Sequence, residues 1–114
     1  MTKVNQNFTA WSGDDITPRY TVQGAAASIG KDLTGASILW ILVDQSSGAS
    51  LIRKTTDTAG HFTVSGCTFD VNIAASDTSG LAGDYWSEAQ VRDSASIIQT
   101  VAVGWVTINR DLAS

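Results

Sequence analysis

Residues 24–31 have the glycine-rich composition of a phosphate-binding loop, so they are the first stretch of this 114-residue sequence that could do chemistry. The spacing is wrong, because five residues separate Gly24 from Gly30 where the phosphate-binding pattern has four. Asp32 also stands where Ser or Thr would hold magnesium, and its carboxylate would repel a phosphate. A loop between two strands is therefore the better interpretation of this stretch.

The titratable side chains do not form a recognisable catalytic set. Asp14 and Asp15 are adjacent, so their side chains diverge on an extended chain, and the other carboxylates lie in or beside predicted turns. His61 and Cys67 lie in one local stretch with no elbow motif such as G-x-S-x-G. We predict no catalytic residue, and a small hydrolase that uses His61 stays a rival interpretation.

Metal and cofactor chemistry also has few candidate ligands. One cysteine cannot form an intrachain disulfide, and one histidine beside it cannot complete a zinc or haem site. Asp77, Asp84 and Asp93 lie in loops of a kind that can bind calcium, but they lack the alternating spacing of a known calcium loop. The sequence therefore predicts neither a metal nor a cofactor.

The four tryptophans offer another chemistry, namely stacking on a sugar or docking on a protein. Trp40 lies in an all-apolar segment, which predicts a place in the core. Trp86 instead alternates onto one face with Glu88, Gln90 and Arg92, which predicts an exposed contact. The predicted interaction surface comprises Trp86, Glu88, Arg92 and Trp11.

Charge and hydropathy limit the classes of partner. The chain has 7 basic and 11 acidic residues, and the basic ones never form a block, so we do not expect nucleic acid as the main partner. The longest apolar run, residues 38–43, is too short to span a membrane, and the first residues lack the apolar segment of a signal peptide. We expect one domain, residues 1–114, that folds in a reducing cytosol.

The composition favours strands over helices, because Thr and Ser number 26 whereas Lys and Glu together number 4. Residues 36–43 are apolar on both alternating faces, which predicts a central strand. Turn-forming residues follow it, and residues 50–55 are expected to pair back as a hairpin. Ile38 and Leu42 of the central strand are predicted core residues.

The middle of the chain predicts a half-buried strand and a crossover. Residues 68–73 alternate strictly and would turn Phe69, Val71 and Ile73 toward a core. The next ten residues leave room for one helical turn, beginning at Ser76 or Asp77 and ended by Gly80. Such a connector is expected to cross between two sheets.

The last third of the sequence predicts a second hairpin, formed by residues 84–92 and 97–108 around a turn at residues 93–96. Val91 is a predicted core residue of its first strand. Gly104, inside its second strand, predicts a bulge or a close approach by a neighbouring backbone.

Weaker strand patterns at residues 6–11 and 16–23 bring the total to seven or eight strands, which is typical of an all-β sandwich. Pro18 would place the second of these strands at an edge or a bulge. Tyr85 follows Gly83 and Asp84 at the start of a strand, which is the placement of a tyrosine-corner residue in immunoglobulin-like sandwiches. The predicted core comprises Trp40, Tyr85, Ile38, Leu42 and Val91.

Two stretches of the sequence resemble small immunoglobulin-like domains of tailed-bacteriophage virions, such as the N-terminal domain of baseplate upper proteins. The first is Gly13-Asp14-Asp15 followed by residues 32–40, which contain Leu33-Thr34-Gly35 before the apolar strand. The second is residues 81–93, which contain Gly83-Asp84-Tyr85 and lead into the final hairpin. These motifs consist of turn and core residues, so they indicate the fold more strongly than the function.

The resemblance implies a non-enzymatic virion component that is assembled in the host cytoplasm. Baseplate upper proteins continue into a long C-terminal part, whereas this sequence stops at Ser114, so we expect a decoration, cement, neck or tail accessory protein. It would bind capsid, neck or tail proteins in symmetric copies, through strand edges or an N-terminal arm at residues 1–7. Residues 109–114 would form a short tail. The alternative is a carbohydrate or receptor-recognition module built on Trp86.

Overall fold

A computed structural model of the chain describes residues 4–22, 33, 35–58, 60–92 and 98–110. Within these ranges the chain forms nine strands and one short helix. They are β1 (Val4–Asn5), β2 (Phe8–Trp11), β3 (Arg19–Thr21), β4 (Ser37–Asp44), β5 (Ala49–Thr55), β6 (Phe62–Ser65), β7 (Thr68–Val71), α1 (Ala75–Thr78), β8 (Gly83–Arg92) and β9 (Ile98–Asn109).

The strands form two sheets that pack against each other as a sandwich. In the larger, six-stranded sheet, β9, β8, β4 and β5 are antiparallel neighbours in that order, and β1 and β2 pair in parallel along the free edge of β9. The smaller sheet has the order β3-β7-β6. These orders correspond to strands G-F-C-C′ and B-E-D of variable-type immunoglobulin domains. The protein is an immunoglobulin-like β-sandwich.

The observed strand count exceeds the predicted seven or eight for two reasons. The first addition is β1 (Val4–Asn5), which precedes the strand predicted at residues 6–11 and lies in the segment assigned to an N-terminal arm. The other addition is β6, which pairs with β7 through a turn at Gly66 and Cys67, where Gly66 has a φ of 59°. A left-handed φ of this kind favours glycine, so the short pattern before Gly66 carried a hairpin signal that the sequence analysis missed.

Strand β4 lies in the middle of the larger sheet, with β8 on one side and β5 on the other. Its alternate residues Ile38, Trp40 and Leu42 are buried in the core, while the residues between them are half-buried on the opposite side. The central position and the hairpin with β5 are therefore as predicted. A strand that is apolar on both sides places one of those sides outside the core of its own domain.

The centre of the core joins the two sheets by a hydrogen bond between large side chains. Trp40 of β4 donates from Nε1 to the Tyr20 hydroxyl of β3 over 2.9 Å, and both side chains are almost fully buried. The Tyr20 ring stacks on Phe69 of β7, with 5.2 Å between the ring centroids. Burial raises the pKa of Tyr20, although hydrogen bonds with Trp40 and Ser87 oppose that shift.

This hydrogen-bonded group occupies the region where antibody domains place a disulfide. In those domains a buried tryptophan of strand C packs on a disulfide between strands B and F, and the second cysteine follows the corner tyrosine by two residues. Ser87 holds that position here, two residues after Tyr85, and it donates to the backbone oxygen of Gly104 over 3.0 Å. Tyr20 supplies the contact from strand B, so the sheets are held without a covalent link at this point.

Tyr85 closes the loop that leads into β8. Its hydroxyl donates to the backbone oxygen of Ala82 over 3.0 Å and accepts from the Ala82 backbone N–H over 3.2 Å. The ring itself is half-buried and packs against the edge of the core. The bond restricts the turn at Gly83, where φ is 124°.

The crossover between the sheets contains α1, which begins at Ala75 and not at the predicted Ser76 or Asp77. Two carboxylates explain the earlier start. Asp77 accepts from the Ala74 backbone N–H over 2.8 Å, and Asp15, from the distant loop before β3, accepts from the Ala75 N–H over 2.7 Å. Only the tertiary structure brings Asp15 to this helix.

The N-terminal segment is part of the sheet, so its assignment to an arm is wrong for residues 4–7. Val4–Asn5 pair with β9, and the Gln6 backbone N–H donates to the Val103 oxygen over 2.8 Å. The Asn7 side chain accepts from the Trp105 backbone N–H over 2.8 Å. The segment passes directly over Gly104, where a Cβ atom would overlap the Gln6 backbone oxygen. The close approach predicted at Gly104 is confirmed.

Several predicted features lie outside the described residues. They are residues 1–3 of the arm, the glycine-rich residues 24–31, the turn at residues 93–96 and residues 111–114 of the tail. The hairpin around that turn is nevertheless defined, because β8 and β9 pair along their whole length. The prediction for Pro18 is also confirmed, since it directly precedes β3, an edge strand of the smaller sheet.

Candidate functional site

The side of the six-stranded sheet that points away from the core, here called the outer face, carries many apolar side chains. Antiparallel sheets of small domains usually present polar residues on this side. On the outer face of this protein Trp11 is 53% exposed and Trp105 is 42% exposed, and the residues of β4 add an aliphatic strip between β8 and β5. Its apolar members are Trp11, Leu39, Ile41, Val43, Leu51, Trp86, Ile98, Val103 and Trp105.

All four residues of the predicted interaction surface lie on the outer face. Trp86, Glu88 and Arg92 alternate along β8, opposite the core-facing residues of that strand. Trp11 joins them from β2, because the preceding Ala10 is buried against the core. The four residues do not form one cluster, since Trp11 lies beyond β9 and Arg92 lies at the far end of β8.

Trp86 is less exposed than the sequence predicted. Its ring packs edge-on against Trp105, with 5.1 Å between the ring centroids, and its Nε1 donates to Glu88 over 3.1 Å. Both contacts hold the indole against the sheet, so it is half-buried. Of these two paired rings, the exposed one is Trp105, which was not part of the predicted interaction surface.

The pairing of Trp86 with Trp105 depends on a register that the sequence does not disclose. The two residues are directly opposite in the hairpin of β8 and β9, but a bulge shifts the register between Ala89 and Gln90. A bulge of one residue moves every later side chain to the opposite side of the sheet. The alternation of β8 alone could therefore identify the face of Trp86 but not its partner.

The two ends of the outer face differ in charge. At one end, a surface depression of about 270 Å³ is lined by Arg53, Arg92 and Asp57 among others, so cationic side chains are in excess there. At the other end, a depression of about 480 Å³ is lined by Trp105 together with Asp44 and Asp84. The face therefore offers a guanidinium end, an aliphatic and aromatic middle, and a carboxylate end.

A separate polar cluster lies beside α1, against a depression of about 380 Å³ that Asp15, Lys54 and His61 help to line. The Lys54 side chain is only 8% exposed and its Nζ donates to Asp77 over 2.6 Å. Burial by itself would raise the pKa of Asp77, but the hydrogen bonds from Lys54 and Ala74 and the charges of Lys54 and His61 lower it overall. Lys54 covers the core beside Trp40, its partner in the β4–β5 register.

Replacing Asp77 with asparagine is expected to lower the free energy of unfolding by about 2–3 kcal/mol at neutral pH. Removing one partner of a buried pair costs about 3–5 kcal/mol, and the 27% exposure of the Asp77 side chain lets water screen part of this loss. Urea denaturation at pH 7 measures the difference. The matched control is Asp70→Asn, which breaks the pair with the exposed Arg19 side chain and should cost less.

The ion pair between Lys54 and Asp77 should also make the wild type less stable in acid. The folded protein holds the pKa of Asp77 below the ordinary value of 3.8, so the unfolded chain binds the proton first as the pH falls. The stabilisation is thus complete above about pH 5 and is lost progressively as the pH falls through the pKa of the folded state, which lies below 3.8. Urea denaturation between pH 7 and pH 2.5 should show the free energy of unfolding of the wild type approaching that of Asp77→Asn as the pH falls. A constant difference across this range would contradict the assignment.

The other residues that could take part in catalysis or metal binding do not lie together in one site. His61 and Cys67 lie at opposite ends of β6, and His61 Nδ1 accepts from the Thr55 backbone N–H over 3.3 Å. Asp84 accepts from the Thr107 hydroxyl, and Asp93 lies outside the described residues. In the described ranges, no three His, Cys, Asp or Glu residues are grouped so that they could hold a metal ion.

The described part of the chain also contains no helix with the length and hydropathy needed to cross a membrane.

The strand order and the tyrosine corner define the class of this protein as an immunoglobulin-like domain. The sequence matches no protein-family model and no curated protein. Among solved structures, one described as the structure of murine CRIg is similar over 92% of this chain and 92% of its own length. The identity is 13% and the TM-score is 0.39.

Proposed function

We propose that this protein is a non-enzymatic accessory component of a bacteriophage virion that acts by binding other virion proteins. The observation that supports this most directly is the apolar outer face. Trp11, Leu51, Ile98 and Trp105 are each more than 40% exposed on this face, and large apolar side chains exposed on one face mark a candidate protein contact. The resemblance of residues 81–93 to virion immunoglobulin-like domains supports the same proposal, and those residues supply Trp86, Glu88 and Arg92.

The partners would be capsid, neck or tail proteins, and the protein would be present in many symmetric copies within a virion built in the host cytoplasm. A repeated contact of this kind suits the outer face. Ile41 lies at its middle, with Arg53 of β5 and Glu88 of β8 directly beside it in register. An apolar centre flanked by charges provides affinity from the centre and orientation from the rim.

Mass spectrometry of purified particles, separated into heads and tails, tests the proposal. We expect the chain in one fraction, with a copy number set by the symmetry of that part. Hundreds of copies in heads would indicate decoration or cement, and about six or twelve in tails would indicate a ring or an attachment collar. Absence of the chain from intact particles would contradict the proposal.

Two matched variants test whether incorporation of the protein into the particle depends on the outer face. Ile41→Arg places a charge in its apolar middle and should reduce the number of copies per particle. Thr21→Arg places the same side chain on an exposed site of β3, in the smaller sheet, and should leave incorporation unchanged. Both variants should first be shown to unfold at a temperature close to that of the wild type. Equal incorporation of the two would exclude the outer face as the contact.

Recognition of a carbohydrate or receptor through exposed aromatic residues is the second candidate function. The exposed ring of Trp105 favours it, in place of the ring of Trp86 on which the sequence analysis built this alternative.

A further inference from the structure

The depression at the carboxylate end of the outer face combines an exposed aromatic ring with a polar rim. Trp105 is 42% exposed there, and Asp44, Gln45, Ser46, Asp84 and Thr107 surround it. The depression measures about 480 Å³, within the range of about 300–1,000 Å³ typical of small-ligand sites. We propose that this depression binds a neutral saccharide, with Trp105 as the stacking surface. This deepens the second candidate function and does not depend on the virion role.

The Trp105 ring is held in place before any ligand arrives. Trp86 packs against it at an interplanar angle of 75°, and Glu88 in turn accepts a hydrogen bond from the Trp86 indole. The backbone N–H of Trp105 donates to the Asn7 side chain. A ring fixed by its neighbours loses little conformational entropy on binding, so its contact area contributes more of its energy to affinity.

The carboxylates of the rim are oriented by hydroxyl groups. Asp44 Oδ1 accepts from the Ser46 backbone N–H over 3.0 Å and from the Ser46 hydroxyl over 2.7 Å. Asp84 Oδ1 accepts from the Thr107 hydroxyl over 2.8 Å. These bonds use one oxygen of each carboxylate, and the described residues donate none to the other oxygen. Among the described residues, the second oxygen of Asp44 and of Asp84 is thus an oriented acceptor without a donor, and the Gln45 amide can both donate and accept.

A sugar ring matches this arrangement because it presents a C–H face for stacking and an edge of hydroxyl groups for hydrogen bonding. An anionic ligand would be repelled by Asp44 and Asp84. A quaternary ammonium ion can lie over a single tryptophan face, but it has no N–H or O–H group to donate to the carboxylates and the Gln45 amide of the rim. A neutral sugar uses both the ring and its rim, and competition with tetramethylammonium separates the two ligands.

Binding of defined oligosaccharides to the purified protein tests the site. An array of neutral glycans, followed by titration with maltohexaose, cellohexaose and the hexamer of N-acetylglucosamine, should identify at least one ligand that changes tryptophan fluorescence. Trp105→Ala should weaken that binding about tenfold or more, whereas Trp105→Phe, which keeps an aromatic face, should retain most of it. Asp84→Asn should weaken binding by removing a charged acceptor. Trp11→Ala is the matched control, because Trp11 lies outside the depression, and it should bind as the wild type does.

Three outcomes would overturn the proposal. They are the absence of binding to every neutral glycan at about 10 mM, equal affinity of Trp105→Ala and the wild type, and displacement of the sugar by tetramethylammonium but not by a second sugar. Thermal unfolding of each variant confirms that a lost signal reflects the site and not the fold. A negative result here leaves the virion test unaffected, because particle composition is measured independently of any sugar.

Discussion

Replacing Trp40 with alanine is expected to lower the free energy of unfolding by about 3–5 kcal/mol. Trp40 is 1% exposed and fills the space between the sheets beside Tyr20 and Phe69. The substitution removes a large buried ring and also leaves the Tyr20 hydroxyl without its indole donor. Domains of this size have a total stability of about 5–15 kcal/mol, so the variant would be partly or largely unfolded at 37 °C. Urea denaturation followed by circular dichroism measures the loss.

Two controls separate the packing of Trp40 from its hydrogen bond. Tyr20→Phe keeps the ring and removes the acceptor, so it should cost about 1–2 kcal/mol. Trp11→Ala removes the same side chain from an exposed site and should cost about 1 kcal/mol or less. A loss below about 1 kcal/mol for Trp40→Ala would show that Trp40 does not hold the sheets together.

Replacing Gly104 with alanine is expected to cost about 3 kcal/mol, although only one methyl group is added. Its Cβ would overlap the backbone oxygen of Gln6, and a backbone cannot rotate away as a long side chain can. The N-terminal segment would have to leave β9, and the bonds from Gln6 to Val103 and from Trp105 to Asn7 would be lost. Hydrogen exchange should show faster exchange of the Gln6 and Trp105 amides.

A double-mutant cycle identifies the cause of that cost. Deleting residues 1–7 removes the backbone that Gly104 accommodates, so Gly104→Ala in the shortened chain should have nearly no effect. The interaction energy of the cycle should then equal most of the cost in the full chain. If Gly104→Ala destabilises both chains equally, the strain lies within β9 and the close approach of Gln6 is not its source.

The two proposals about function use different parts of the outer face. The virion proposal depends on the aliphatic middle around Ile41, whereas the saccharide proposal depends on the depression at Trp105. Ile41→Arg and Trp105→Ala therefore affect different measurements, namely copies per particle and sugar affinity. A protein that binds a virion with one region and a sugar with another would display the sugar site at the particle surface.

The sequence by itself determined the sandwich and part of its core, because alternation and turn residues are local signals. Val91 could be assigned to the core from the two-residue alternation of its strand, whereas Ile38, Trp40 and Leu42 were assigned because they lie in a continuous apolar run that predicts a central strand. The close approach at Gly104 was also predictable, because glycine inside a strand is costly unless another backbone needs the space. Strand β6 was missed because its four residues alternate too briefly before Gly66.

The tertiary structure alone decided what depends on residues distant in the sequence. The polar residues 4–7 join the sheet through backbone hydrogen bonds, which leave no pattern in side-chain hydropathy. The bulge in the last hairpin sets Trp105 opposite Trp86, and this buries one indole and exposes the other. Asp44 and Asp84, 40 positions apart, meet beside Trp105 only because β4 and β8 are neighbours in the sheet. Side-chain periodicity identifies the strands, but register and sheet order determine which side chains share a site.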